Sequence, residues 1–229
     1  MSDESEAIKE VAITAGKVTD AGREIGGFIA KLVCGPLEQG IGIFEDKLRY
    51  IRWERQLRLM KRVEKSMHEI GINQPTRFIP LKFAVPFFQG ASLEDDDYLQ
   101  DRWANLLVNA VNARSGIDLK RVYISILENI DSFEVKILEK IYSIPFEKTQ
   151  HIGICTRDLP EDIQVGNDDQ SQNDIPPGPE VALALANLAR LGCIKFRMTW
   201  GGGEVFSRVN PTLLGKYFVE ACTLKNGKS

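Results

Sequence analysis

The strongest constraint on the fold is one continuous helical pattern, SLEDDDYLQDRWANLLVNAVNA, which covers residues 92–113. Apolar residues recur along it every three or four positions, which is the spacing of a helix with a wide buried face. The predicted face comprises Leu99, Trp103, Leu106, Leu107, Ala110 and Val111. Ser92 is the predicted N-cap, and Asp95 three positions later imitates a capping box. The acids at 94–97 would then occupy the first turn, where the helix dipole favours negative charge.

A second helical pattern lies near the start of the chain. Over residues 6–33, apolar or small side chains alternate at intervals of three and four, which is a heptad seam. The seam residues that we predict to mediate assembly are Ile8, Val11, Val18, Ile25, Ile29 and Leu32. Three uses of the seam remain open: packing against the chain's own second helix, self-association, and attachment to a membrane surface. The segment is acid-rich, whereas helices that lie on membranes are usually basic.

Residues 44–70 predict a long helix with the most basic surface in the chain. Eight lysines and arginines stand against two glutamates between positions 47 and 65, a local net charge of +6. The predicted partner- or phosphate-binding residues on this helix are Arg49, Arg52, Arg55, Arg58, Lys61 and Arg62. Arginine stems also cover apolar surface on ordinary solvated faces, so both a structural use and an acidic partner remain open. The acids at 94–97 could themselves dock against this helix.

The pattern changes after residue 115 to shorter elements. Helices are predicted over 119–129 and 133–142, the second with Ser132 as its N-cap. Residues 157–179 are acidic, amide-rich and proline-rich, which is typical of a mobile loop. The remaining predicted elements are a helix from Pro179 to Leu191, two strands over 194–199 and 204–209, and a closing helix with Asn210 as its N-cap and Pro211 as its first residue.

The glycines of WGGG at 200–203 separate the two strands and predict a hairpin tip. A helix, a hairpin and a closing helix together resemble the winged-helix arrangement, many examples of which bind DNA. The presumed recognition helix, however, offers Arg190 as its one basic residue, opposed by Glu180. Residues 116–225 hold 12 basic and 15 acidic side chains, whereas a DNA reader normally concentrates positive charge. The wing residues Lys195, Arg197 and Arg208 could contact phosphates without reading sequence. We therefore favour a winged helix that packs against protein, and DNA binding remains the alternative.

These patterns predict a mainly α-helical fold in three regions. The first, residues 1–75, contains the amphipathic and basic helices, and the second, residues 76–115, is a central helical region. The third, residues 116–225, is a winged-helix-like domain that carries the loop at 157–179.

The residue types that most enzymes need are sparse in this chain. Its two histidines, His68 and His151, have no cysteine at metal-ligand spacing. The sequence has no GxSxG, HExxH or Walker A motif, and no GxGxxG between a strand and a helix. The acids at 95–97 would point around a helix rather than at one centre, so they do not predict a cation site. We expect no catalytic residues, no cofactor, no metal site and no small-molecule substrate, and hence no enzyme.

Composition favours a cytoplasmic protein. The net charge of −3 argues against a non-specific nucleic-acid coat, and the four well-separated cysteines are typical of reduced, buried thiols. The first ten residues are acidic where a signal peptide needs a basic region. The sequence holds no window of about 18 uncharged apolar residues that could span a membrane.

The central sequence resembles the abortive infection alpha family of bacterial proteins over roughly residues 75–222. The resemblance is carried by Pro80, Leu81, Pro86, the ASLEDD block at 91–96, WANLL at 103–107, Asn109 and Ala110, and more loosely by LARLGCI and PTLLGKYFVEAC. It implies a bacterial cytosolic protein linked to phage defence, and it supplies no catalytic residues. The function that we expect is a non-catalytic interaction protein whose N-terminal helices bind another macromolecule, most readily a protein or a second copy. The alternatives are a nucleic-acid-binding winged-helix regulator and a membrane-associated effector.

Overall fold

The computed structural model describes residues 23–34, 53–166 and 175–224. Its helices are α1 (23–32), α2 (Trp53–Glu69), α3 (Leu81–Leu93), α4 (Asp97–Val111), α5 (Arg121–Leu127), α6 (Ser132–Tyr142), α7 (Phe146–Thr149), α8 (Pro179–Arg190) and α9 (Leu213–Ala221). Its strands are β1 (Val33–Cys34), β2 (Ile79–Pro80), β3 (Ile154–Cys155), β4 (Gln164–Val165), β5 (Ile194–Met198) and β6 (Glu204–Pro211). The described chain is mostly helical with a small antiparallel sheet, which confirms the mainly α-helical prediction. It forms two compact units that meet in sequence between Ile124 and Ser125.

Helix α4 is the centre of the first unit. The six residues predicted for its buried face are all at most 3% exposed. The ring of Trp103 packs edge-on against Phe87 of α3, with the ring centroids 5.2 Å apart. Helix α2 also packs on α4 and buries Leu59, Met60 and Val63. Burial of these large side chains stabilises the packing of α2 on α4.

Two prolines, Pro80 and Pro86, lie within residues 77–91, and proline normally interrupts a helix, yet most of this segment is helical. Residues Leu81–Leu93 form one helix with Pro86 inside it. A proline at this position cannot donate to the carbonyl of Lys82 one turn earlier. Arg121 Nη2 approaches that carbonyl at 3.5 Å, and the helix also buries Phe87 and Phe88, which together offset the lost bond.

The prediction of Ser92 as an N-cap is wrong. Ser92 lies inside α3, fully buried, and its hydroxyl donates to the Gln89 carbonyl at 2.8 Å. The cap of α4 is Asp96, whose carboxylate accepts from the Leu99 amide at 3.0 Å. The helix starts later than predicted because the Glu94 carboxylate accepts from the amides of Asp95 and Asp96. These bonds stabilise a turn between α3 and α4, at a place where the sequence predicted the first turn of a single helix.

The described half of the predicted seam is buried inside the first unit. Ile25, Ile29 and Leu32 of α1 are 5%, 6% and 1% exposed. The chain then continues into β1, which pairs in parallel with β2 through the partners Val33 and Ile79. The other predicted seam residues, Ile8, Val11 and Val18, lie outside the described residues.

The second unit is built on a four-stranded sheet with the order β4-β3-β6-β5. The predicted hairpin is confirmed as β5 and β6, which are antiparallel. Helix α8 begins at Pro179 and ends before Gly192, whose φ of +77° is the left-handed conformation expected after a helix. The sequence predicts a loop throughout 157–179, whereas β4 lies within this range and pairs with β3.

Two predicted caps in this unit are wrong by one or two positions. Asp131, not Ser132, caps α6 in a reciprocal capping box with Glu134. Thr212 caps α9, and its hydroxyl accepts from the Gly215 amide at 3.0 Å. The predicted cap at Asn210 and Pro211 is instead the end of β6, because pairing with β5 extends the strand to Pro211.

Candidate interaction surface on the basic helix

The structure sorts the basic residues of α2 onto two faces. Arg55 and Arg62 lie seven positions apart, two helical turns, and therefore share a face. That face meets the segment between α3 and α4 and the first turns of α4, where the acids are concentrated. The side chains of Arg55 and Arg62 are only 16% and 25% exposed.

The inward face forms a network of ion pairs with these acids. Arg55 Nη2 donates to Asp95 Oδ2 at 3.0 Å, and Arg55 also donates to the Leu93 carbonyl. Arg62 bridges two carboxylates: its Nη2 lies 2.5 Å from Asp97 Oδ1, and its Nη1 pairs with Asp101. The docking of the acidic run against the basic helix, an alternative that the sequence left open, is therefore present in the structure. We call this set, Arg55, Arg62, Asp95, Asp97 and Asp101, the acidic clamp.

A second set of cations on α2 lies beside the acidic clamp, on a face that is exposed to solvent. Arg58, Lys61 and Lys65 follow one another at intervals of three and four, so they align on one helix face. All three are exposed. We call these three residues the outward face.

The outward face carries weaker and longer charge contacts than the inward one. Arg58 lies 3.8 Å from Glu54 and 3.7 Å from Asp97, and Lys65 lies 3.8 Å from Glu69. Exposed pairs of this kind contribute little to stability and break readily. Within the part of the chain that the structure describes, Lys61 forms no ion pair. The outward face therefore presents cations that an acidic partner could reach without unfolding the unit.

The predicted binding residues thus fall into three groups. Arg58 and Lys61 lie on the outward face, Arg55 and Arg62 belong to the acidic clamp, and Arg49 and Arg52 lie outside the described residues. The prediction omitted Lys65. Its spacing of seven positions from Arg58 would have identified it, because residues two turns apart share a helix face.

A shallow groove lies beside this helix, between α1 and the end of α2. Its volume is about 250 Å³. The apolar lining is Phe28, Leu32, Met67, Ile72 and Pro75, and the polar lining is Lys31, Glu64, His68 and Asn73. Both histidines of the chain are exposed, and His68 is at this groove.

The acidic segment that docks on α2 is electrostatically crowded. Burial raises the pKa of the Glu94 carboxyl above its ordinary value, and the neighbouring carboxylates of Asp96 and Asp95 raise it further. The amides of these two aspartates donate to Glu94 and partly oppose this rise. Clustered acids of this kind need nearby cations, and Arg55 and Arg62 provide them.

In the second unit, the groups with shifted pKa values occupy structural positions. Burial raises the pKa of the Cys193 thiol to about 12, so it stays protonated at neutral pH and is a poor nucleophile. Burial also raises the pKa of Glu134, whose carboxylate accepts from Asn187 Nδ2 at 2.7 Å. Cys155, Cys193 and Cys222 are buried free thiols.

The predicted recognition helix, α8, offers little for reading DNA. Arg190 donates to Asn187 Oδ1 through both Nε, at 2.9 Å, and Nη2, at 2.7 Å. This contact holds the guanidinium along its own helix. Other exposed positions on the same helix are Glu180 and Leu183, an acid and a leucine, neither of which suits a phosphate backbone.

Two other kinds of site are absent from the described residues, 23–34, 53–166 and 175–224. Among them, no group of three or more His, Cys, Asp or Glu side chains is placed to hold a metal ion. No helix in the described ranges is long and apolar enough to cross a membrane.

Comparison with known proteins gives one match. A family model described as Abortive infection alpha matches residues 54–222, which covers α2 and nearly all of the structure that follows it. Neither the curated proteins nor the solved structures contain a significant match to the chain.

Proposed function

The chain belongs to the Abortive infection alpha family, and from this premise we propose that it is a non-catalytic interaction protein of antiviral defence. Its N-terminal helices bind another macromolecule, and the outward face of α2 is the contact surface. The partner is acidic, because Arg58, Lys61 and Lys65 would attract it and a basic one would be repelled.

The observation that carries this proposal is that α2 is anchored by one set of residues and exposes another set. The acidic clamp and the buried residues Leu59 and Val63 fix the helix to its unit. Among the described residues, the outward face meets the acidic clamp through the exposed pair of Arg58 with Asp97, at 3.7 Å. Such a pair contributes little to stability, so a partner can engage these cations without loss of the fold. A rigid helix that presents aligned cations is also pre-organised, which reduces the entropy lost on binding.

The chemistry of the titratable groups supports a role without catalysis. A catalytic nucleophile or base needs a pKa near the working pH and a place in a cleft. Cys193 and Tyr142 have pKa values of about 12 and lie in the packed second unit. The carboxylate of Glu134 is fully engaged by the Asp131 and Asn187 donors.

Site-specific photo-crosslinking in phage-infected cells tests the contact surface. A crosslinking amino acid at Lys61 should capture a discrete macromolecule, whereas one at Lys148, exposed on α7 in the second unit, should not. The captured species should disappear when Lys65→Glu is added, because the cations act together. The proposal is contradicted if both positions capture equally, or if Lys65→Glu leaves capture at position 61 unchanged.

We also propose a winged-helix-like arrangement for the second unit, with a protein-packing rather than a DNA-reading role. Support comes from the order α8, β5, β6, α9 and from the pairing of β3 with β6 beside the hairpin. The alternative is a winged helix that binds DNA. Anisotropy titration of the full chain with duplex DNA over a range of salt concentrations tests this alternative. Steep weakening with salt would indicate phosphate contacts and favour a nucleic-acid regulator, whereas no binding at low salt favours the protein-packing role.

A further inference from the structure

The tip of the β5–β6 hairpin exposes the largest apolar side chain of the described chain. Trp200 is fully exposed, and Met198 beside it is 60% exposed. An exposed tryptophan presents a large apolar surface together with a polar N–H group. Among the described residues of its own unit nothing covers the Trp200 ring, so its full surface is available to an external contact.

Hydrogen bonds close the backbone turn that carries Trp200. The Gly202 amide donates to the Thr199 carbonyl at 2.9 Å, and the Thr199 amide donates to the Gly203 carbonyl at 2.8 Å. Gly203 also donates to the Thr199 hydroxyl at 2.9 Å. Gly202 has a φ of +83°, which closes the turn and favours glycine there. Trp200 is therefore carried by a closed, hydrogen-bonded turn.

Cations lie behind the apolar tip on the same hairpin. Lys195 and Arg197 alternate on β5 and are both exposed. A strand rises about 3.3 Å per residue, so Arg197 is about 10 Å behind Trp200 along the hairpin. Glu204, exposed and paired in register with Met198, is the one acid near the tip within the described hairpin.

We infer that this hairpin tip docks on the surface of an anionic lipid bilayer. Tryptophan prefers the interface between the headgroups and the acyl chains. With Trp200 and Met198 at that depth, Arg197 lies among the headgroup phosphates, and the long side chain of Lys195 reaches toward them. The order from tip to base, apolar and then cationic, matches the order of layers in an anionic membrane.

A bilayer fits this tip better than single-stranded nucleic acid does. Nucleic acid binding combines stacking with a groove that follows the backbone, and a projecting tip of three glycines offers no groove. Met198 does not stack on bases, whereas a flexible thioether enters acyl chains readily. A fluid bilayer also closes around a small protrusion without needing a complementary shape. The inference is independent of the outward face of α2, which lies in the other unit.

Co-sedimentation of the full chain with vesicles tests the inference. Vesicles that contain phosphatidylglycerol should bind the wild-type chain, and vesicles of phosphatidylcholine alone should bind it weakly. Trp200→Ala should reduce binding about tenfold through loss of the interfacial anchor. Arg197→Gln should reduce it about fivefold on the anionic vesicles. Glu204→Gln should strengthen binding, because it removes the opposing acid.

Leu183→Ala is the matched control, because Leu183 is 74% exposed on α8 and lies outside the hairpin. Tryptophan emission gives a second readout: vesicles should shift it to shorter wavelength in the wild-type chain but not in Trp200→Phe. Buried Trp103 should not respond. Binding unchanged by Trp200→Ala, or equally reduced by Leu183→Ala, overturns the inference. Quenching of Trp200 by single-stranded oligonucleotides without vesicle binding overturns it in favour of nucleic acid.

Discussion

Arg55 Nη2 donates to the carboxylate of Asp95 at 3.0 Å, which joins α2 to the turn before α4 across 40 positions of sequence. Arg62 makes the corresponding contact two turns later, with Asp97 and Asp101. The most basic and the most acidic segments of the chain therefore neutralise each other along one helix face. The remaining cations, on the neighbouring exposed face, are the ones available to a partner.

The acidic clamp should contribute measurably to stability because Arg62 bridges two carboxylates and is only a quarter exposed. Arg62→Ala should lower the free energy of unfolding by about 1–2 kcal/mol, through lost ion pairs and lost packing of its stem. Urea unfolding measures the change. The loss should shrink in high salt, because the Debye length falls from about 10 Å at 0.1 M to about 3 Å at 1 M.

Lys61→Ala is the matched control for this prediction, since it removes a cation from the same helix without touching the acidic clamp. Its effect should stay within about 0.5 kcal/mol. An equal loss in both variants would show that Arg62 acts through general charge rather than through Asp97 and Asp101.

Sequence periodicity predicted the core of the first unit but not its connections. The buried face of α4 could be identified because apolar spacing reports burial directly. The start of α4 could not, because Ser92 and Asp96 are both good caps, and the choice depends on Glu94 binding two backbone amides. Continuity of α3 through Pro86 depends on tertiary burial and on Arg121, which no local rule includes.

The candidate site was predicted as a class of residues rather than as a surface. Counting charges placed the cations on one helix. It could not show that Arg62 pairs with acids of the same unit while Lys61 faces solvent. That division needs the position of Asp97 in space, and the contact spans 35 positions. The exposed tip residue Trp200 was recognised as part of a turn, whereas its exposure is a property of the folded unit alone.

Glycine is required at position 215 because Cys193 and Tyr142 pack directly against its Cα. A Cβ at this position would lie 2.2 Å from both the Cys193 carbonyl oxygen and the Tyr142 hydroxyl. Gly215→Ala should therefore lower the free energy of unfolding by more than about 3 kcal/mol, although alanine is the better helix former. Chemical denaturation measures the loss.

Gly26→Ala is the control, because this substitution should change the free energy of unfolding in the opposite direction. Gly26 is helical and exposed, and a Cβ there would meet nothing within 4 Å. The substitution should raise stability by up to about 1 kcal/mol, because it adds helix propensity without a clash. If Gly215→Ala behaved like Gly26→Ala, the packing of α9 against Cys193 and Tyr142 would be contradicted.

The Tyr142 hydroxyl connects three segments of the second unit. It accepts from the Thr212 amide at 2.8 Å and lies within donating distance, 2.7 Å, of the Cys193 carbonyl. Tyr142→Phe should cost about 1–3 kcal/mol, because the amide and the carbonyl lose their partner in a buried place. Thermal or urea unfolding measures this cost.

The same hydroxyl predicts a pH dependence. Burial raises the pKa of Tyr142 from 10.0 to about 12, so the folded state holds this proton more tightly than the unfolded state does. Its contribution to stability is therefore complete below pH 10 and is lost as the pH rises toward 12. The difference between the tyrosinate absorbance titrations of the wild-type chain and Tyr142→Phe should have its midpoint near 12. A midpoint near 10 would contradict the buried hydrogen bonds.

The most direct test of the central claim is protection against a phage that the wild-type chain restricts. The outward-face variant Arg58→Gln/Lys61→Glu/Lys65→Glu is compared with a control of equal charge change, Arg114→Gln/Lys120→Glu/Lys148→Glu, at other exposed positions. Both purified variants should keep the wild-type unfolding midpoint to within a few degrees. The account predicts that plating efficiency returns to that of unprotected cells in the outward-face variant and stays restricted in the control. Full protection by a folded outward-face variant would contradict the claim that this surface binds the partner.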